Sequence, residues 1–112
     1  MTPVIHVVEY IDLQGKSQFA RWFEELNAEA AAKVTTALYR LAQGNFSNVK
    51  GVGGGVFEYR IDFGPGYRIY FGKDGDTVVI LLGGSTKKRQ QRAIAAAVDA
   101  WIACKRLKSG QR

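Results

Sequence analysis

The chain has 112 residues, of which 46% are hydrophobic and 12% aromatic, enough for one packed core and too few for two. A single cysteine, Cys104, excludes an internal disulfide, and no apolar run approaches the roughly 20 residues that span a bilayer. The formal charge is +6, but it is unevenly placed: residues 1–59 hold five Lys/Arg and six Asp/Glu, whereas residues 60–112 hold eleven and four. A one-sided basic surface suits a polyanion such as RNA, DNA or the ribosome. The N-terminus has no basic start and soon meets Glu9 and Asp12, so no signal peptide is expected and a cytoplasmic location is.

Residues 4–11, after Pro3, are β-branched and apolar and predict a first strand. Gly15 breaks the pattern, and Ser17 is placed to cap a helix whose Phe19, Trp22, Phe23 and Leu26 share one face. Asn27 is placed to cap a second helix over 28–43, with a stripe of Ala31, Val34, Leu38 and Leu41 and a stop at Gly44. Residues 45–55 are expected to be a glycine-rich loop. Residues 57–63 alternate Phe57, Tyr59, Ile61 and Phe63 with Glu58, Arg60 and Asp62, a strand with one apolar and one charged face. A Gly64-Pro65-Gly66 turn leads to a strand over 67–72, and Asp74-Gly75 marks a hairpin into a strand over 77–82, apolar on both sides. Gly83 to Thr86 are expected to end the sheet. The last helix is expected from Lys87 to Lys108, with Ile94, Val98, Trp101 and Ile102 as its apolar face and a frayed tail over 109–112. The order is β-α-α-β-β-β-α: an α+β domain over 1–112, its antiparallel sheet covered by helices on one face.

Few residues offer conventional catalytic chemistry. His6 lies inside the first strand and is read as structural; Cys104 has no partner and is read as a helix residue. No cluster of His, Cys or carboxylates suits a metal, Asp74 and Asp76 are turn residues, and no glycine run is followed by the Lys-Ser/Thr of a phosphate loop. No cofactor is expected. What remains is cationic. Arg60 and Arg68 occupy the charged face of adjacent strands. A three-residue turn there would set Asp62 opposite Arg68 and Arg60 opposite Tyr70, an arrangement that serves structure as readily as function. Lys87, Lys88, Arg89 and Arg92 crowd a helix start, where cations oppose the helix dipole and favour an anionic ligand. Such groups can cleave RNA, because the 2′-OH is the nucleophile and the enzyme supplies orientation, charge and proton transfer. A lysine crowded by other cations is a candidate base, and Tyr70 or Tyr67 a candidate stacking face.

Three stretches carry a resemblance: Gly44 to Gly53, Phe57 to Gly72 with its Gly-Pro-Gly-Tyr-Arg, and Gly84 to Arg92. With Val8-Glu9-Tyr10 and the Trp22-Phe23 helix, they make the chain similar, over nearly its whole length, to the "addiction module killer protein" branch of the RelE/HigB toxins. The resemblance implies a RelE-like fold and a toxin that cleaves mRNA on the ribosome without metal. It also implies an antitoxin partner, a small helix-turn-helix protein through which DNA is met only indirectly. It assigns catalysis to Arg68, Arg60, Lys87 and Lys88 and a further basic contact to Lys50; RNA contact by Tyr70, Arg89 and Arg92 is expected from the ring and the charges themselves. One departure stands out: several such toxins carry a base-stacking tyrosine near the last helix, and here no tyrosine follows Tyr70. The ParE branch, which shares the fold and poisons DNA gyrase, is the alternative, as is a non-catalytic RNA- or ribosome-binding module.

Overall fold

Two side-chain caps begin the fold. Ser17 Oγ accepts from the Ala20 N–H at 3.0 Å and starts α1 (Gln18–Glu24); Asn27 Oδ1 accepts from the Ala30 N–H at 2.9 Å and starts α2 (Ala28–Ala42). Gly44, at φ +81°, ends α2, and Asn45 N–H turns back to the Arg40 carbonyl. The computed structural model describes residues 4–110, so residues 1–3 and the last two of the tail lie outside it. Around these helices lie β1 (His6–Glu9), β2 (Val49–Gly53), β3 (Val56–Ile61), β4 (Tyr67–Asp74) and β5 (Val78–Thr86). A turn of 3₁₀ helix (Lys87–Arg89) then leads into α3 (Gln90–Gly110), which continues through the first two residues of the expected frayed tail.

The five strands form one sheet in the order β1-β5-β4-β3-β2. The α+β class and the expected helices are present, with several corrections. The segment expected as a loop contains β2, which pairs antiparallel with β3. Its glycines conceal it: Gly53, Gly54 and Gly55 all have positive φ, and a Cβ on Gly54 or Gly55 would come within 2.9 Å of Val98 or Trp101. β1 runs parallel to β5, so the sheet is mixed and not wholly antiparallel. β5 passes through Gly83 to Thr86 instead of stopping there.

Helices cover both sheet faces, not one. β4 is central and buried from Tyr67 to Gly72, and its alternation divides the core. Ile69 and Phe71 join Phe19, Val34 and Leu41 beneath α1 and α2. Tyr70 joins Val56, Ile80 and Leu82 beneath α3. The buried stripe of α3 is Ala97, Ala100, Trp101 and Cys104, while Ile102 is 40% exposed. Small residues win because the helix lies close to the sheet: Trp101 covers Gly72, where a Cβ would stand 2.5 Å from the indole. Gly84 gives Trp22 the same room on the other face.

Gly72→Ala is expected to lower stability by about 1–3 kcal/mol through overpacking against Trp101. Gly51→Ala, where nothing lies within 4 Å of the added Cβ, is expected to stay within about 0.5 kcal/mol. Urea unfolding midpoints of the two variants check the difference.

Candidate nucleic-acid interface

Antiparallel pairing of β3 with β4 sets Arg60 opposite Arg68, Glu58 opposite Tyr70 and Ile61 opposite Tyr67. This register corrects the expected one. The connection is five residues, 62–66, because Phe63 N–H bonds back to Ile61 and Gly66 N–H to Phe63, with Gly64 and Gly66 at positive φ. Asp62 therefore leaves the ladder and meets Arg60, 3.5 Å from its Nε, instead of Arg68. Two guanidinium groups face each other across the strands, an unfavourable pair unless anions sit beside them.

The anion is Glu58. Its carboxylate is 1% exposed; Oε1 lies 3.7 Å from Arg68 Nε and 3.8 Å from Lys50 Nζ. Oε2 accepts from Gln90 Nε2 at 2.7 Å, which ties the first residue of α3 to β3. Arg68 is 5% exposed, and its Nη1 donates to the Tyr67 carbonyl at 3.1 Å. Arg68 Nε and Glu58 Oε1 are buried without a hydrogen bond and hold each other by charge. Tyr70 is completely buried beside them; its hydroxyl shares a hydrogen bond with Ser85 Oγ, and burial pushes its pKa up to about 12. The expectation that Tyr70 contacts RNA is thereby corrected: a ring enclosed in the core offers no face to a base. Tyr67 is buried as well, tilted against Trp22.

Arg60, Arg68 and Lys87 converge on one cleft of about 410 Å³ together with Asp62, Phe63 and the Gly64-Pro65-Gly66 turn. The turn is fastened to the 3₁₀ segment by Lys87 N–H donating to the Gly66 carbonyl at 3.0 Å. Gly66, at φ +79°, adopts a backbone conformation that favours glycine, and a Cβ there would only touch Arg68 Nη1 and Lys87 Cβ at 3.4 Å. Lys88, Arg89 and Arg92 are exposed on the following turns, outside this cleft's lining. Lys50 is exposed on the far side of Glu58. Arg60 also lines a second cleft of about 280 Å³ with Lys33 and Arg40 of α2.

Glu58, Lys33 and Arg40 were not singled out by the sequence. Glu58 sits two residues before Arg60 on the same strand face, the period-two signal of a partner; only the register reveals which arginine it takes. The remaining candidates stand apart. Burial raises the pKa of the Cys104 thiol, which keeps it protonated in the core. His6 is exposed on β1, two strands from β4. Among the described residues, no group of three His, Cys, Asp or Glu gathers as a metal site, and no helix is long and apolar enough to cross a membrane.

A mixed five-stranded sheet with three helices, and a basic cleft where the last helix begins, define a small α+β protein of RelE-like architecture. The chain belongs to the phage-derived Gp49-like family (DUF891), whose family model matches residues 21–108. This is a toxin–antitoxin-associated, RelE-like family; membership marks a toxin-type protein and implies an antitoxin partner. The chain is also similar to an uncharacterized protein of Haemophilus influenzae, 41% identical over 73 residues that cover 64% of this chain and 74% of the relative.

Removing one member of a buried ion pair strands the other. Glu58→Leu and Arg68→Met are each expected to cost about 3–5 kcal/mol, whereas the double variant recovers most of the loss. A double-mutant cycle from chemical denaturation checks this; additive losses would show that the two charges do not depend on each other.

Proposed function

We propose that the protein is a ribosome-dependent mRNA endoribonuclease, the toxin of its toxin–antitoxin pair, and that it inhibits translation. The observation that carries this reading is the convergence of Arg60, Arg68 and Lys87 on one cleft at the end of the sheet. Cleavage needs no protein nucleophile: the ribose 2′-oxygen attacks the adjacent phosphorus, the bond to the 5′-oxygen breaks, and negative charge peaks on the phosphorane between. Guanidinium groups fixed beforehand around that charge stabilise it without reorganising during the reaction.

Each residue then has a role. Arg68, held by Glu58 and the Tyr67 carbonyl, is the rigid donor at the cleft floor. Arg60 is 56% exposed and meets the phosphate from the open side. Lys87, and Lys88 beside it, supply charge and proton transfer where the 3₁₀ segment starts. Arg89, Arg92 and Lys50 meet flanking phosphates, a contact that positions RNA without reading its sequence. With Tyr67 and Tyr70 both in the core, neither tyrosine stacks on the substrate, and positioning falls to backbone contacts and to the ribosome.

Arg60→Ala and Lys87→Ala are each expected to slow mRNA cleavage in a translating extract by about 10²-fold or more while leaving the unfolding midpoint unchanged. Arg68→Ala is expected to abolish cleavage. Full cleavage by all three variants would overturn the assignment of the cleft.

A further inference from the structure

The basic surface does not end at Arg60. The second cleft, of about 280 Å³, begins on the other side of that residue, and Arg60, Asp62 and Phe63 line both clefts. Arg60 is fixed at this boundary by its backbone, whose N–H donates to the Asn48 carbonyl at 3.0 Å, while its side chain is 56% exposed. The far wall of the second cleft is α2, which contributes Lys33, Thr36, Ala37 and Arg40. These positions recur at three and four residues and so share one helix face.

Lys33 and Arg40 are two of only five cations in the first 59 residues, and both are exposed. Lys33 Nζ lies 5.1 Å from the centre of the Phe63 ring, which places its charge at the boundary of the two clefts. Among the described residues neither Lys33 nor Arg40 has a carboxylate partner, although Glu29 lies one turn before Lys33. Asp62 is the one acid in the lining, and Arg60 takes it. Three cations and one acid leave the second cleft positive. Arg40 also suits the last turn of α2, where a cation meets the helix dipole, but that role asks nothing of Lys33. Seven residues at about 1.5 Å each set the two roughly 10 Å apart along the helix. That spacing suits a chain of charges better than one small anion. Ala37 and Tyr59 of the lining are buried, so a protein partner finds little apolar surface to seat on.

We propose that the second cleft holds the backbone of the same RNA strand beyond the nucleotide that reacts, with Lys33 and Arg40 on its phosphates and Arg60 at the junction. This deepens the ribonuclease reading and rests on it for the identity of the strand. The strand is then held on two sides of the reacting phosphate, past Arg60 by Lys33 and Arg40 and past Lys87 by Arg89 and Arg92. Holding both sides restricts the ribose to the in-line geometry that attack by its 2′-oxygen needs. Contacts to phosphates do this without reading bases.

The test is fluorescence anisotropy of the full chain with 2′-O-methyl RNA, whose blocked 2′-oxygen cannot attack, as a tetranucleotide and as a dodecanucleotide, over a range of salt. The longer RNA is expected to bind more tightly. Lys33→Gln with Arg40→Gln is expected to weaken the dodecanucleotide by about tenfold at low salt and to leave the tetranucleotide unchanged. Its log–log salt slope is expected to fall by about 1.4, two phosphate contacts at about 0.7 each. Lys105→Gln, which removes a similar contact from Trp101 outside the lining of both clefts, is expected to change neither RNA. A dodecanucleotide held equally well by the double variant, an equal loss for both lengths, or no binding of either RNA at low salt would each overturn the proposal. A glutamate dodecapeptide that binds more tightly than the RNA, with the same dependence on Lys33 and Arg40, would assign the cleft to an acidic protein instead. In co-sedimentation, the double variant is expected to bind message-carrying ribosomes less well than the natural chain and empty ribosomes equally well. An equal loss on both would assign these cations to ribosomal RNA and overturn the continuous path. None of these readouts involves cleavage, so a failure here and a failure of the ribonuclease reading are distinguishable.

Discussion

Glu58 and Arg68 are the two charged side chains that folding buries most completely among the described residues, and much of the site depends on their meeting. Each would be costly to bury alone, because a charge removed from water loses solvation worth several kcal/mol. Together they fix three things. They favour the β3–β4 register, since a shift of one residue would send Glu58 to the opposite sheet face. They hold the start of α3 in place, through the bond from Gln90 to Glu58. They present the Arg68 guanidinium at the floor of the cleft with few other positions open to it.

The rest of the fold supplies the framework for that pair. Trp101 seated over Gly72 and Trp22 over Gly84 bring a helix close to each sheet face, and Tyr70 and Ser85 fill the space beside the ion pair without adding charge. Arg60, Lys87 and their cationic neighbours stay exposed around a buried, already neutralised centre. Six of the eleven cations of the second half, Arg60, Arg68, Lys87, Lys88, Arg89 and Arg92, thus gather where β3, β4, the 3₁₀ segment and the first turns of α3 meet, all but Arg68 exposed. Mutual repulsion among these groups is a standing cost to the free protein, and it falls when a polyanion or an acidic partner docks.

The helices and the central strands were legible because their cues are local. Ser17 and Asn27 cap where their side chains permit, and the alternation from Phe57 to Ile61 survives in the observed faces. What was not legible depended on close approach. β2 is hidden among glycines that make room for Val98 and Trp101. The core face of α3 follows its smallest residues, Ala97 and Ala100, where hydrophobicity favoured Ile102. In the site, the cations of the cleft were visible as charge in sequence. The burial of Tyr70 depended on α3 covering that face of the sheet, and the choice of Glu58 over Asp62 as partner of Arg68 on how many residues the turn at Gly64-Pro65-Gly66 takes, which its backbone angles decide.

On the proposed reading, the basic cleft breaks RNA and does not merely bind it. Mapping RNA 5′ ends across the transcripts of cells after induction of the protein tests this most directly. New 5′ ends are expected within translated reading frames, abundant with the natural chain and sharply reduced with Arg60→Ala and with Lys87→Ala, which leave the fold intact. Growth arrest with no new ends inside coding sequence would contradict it.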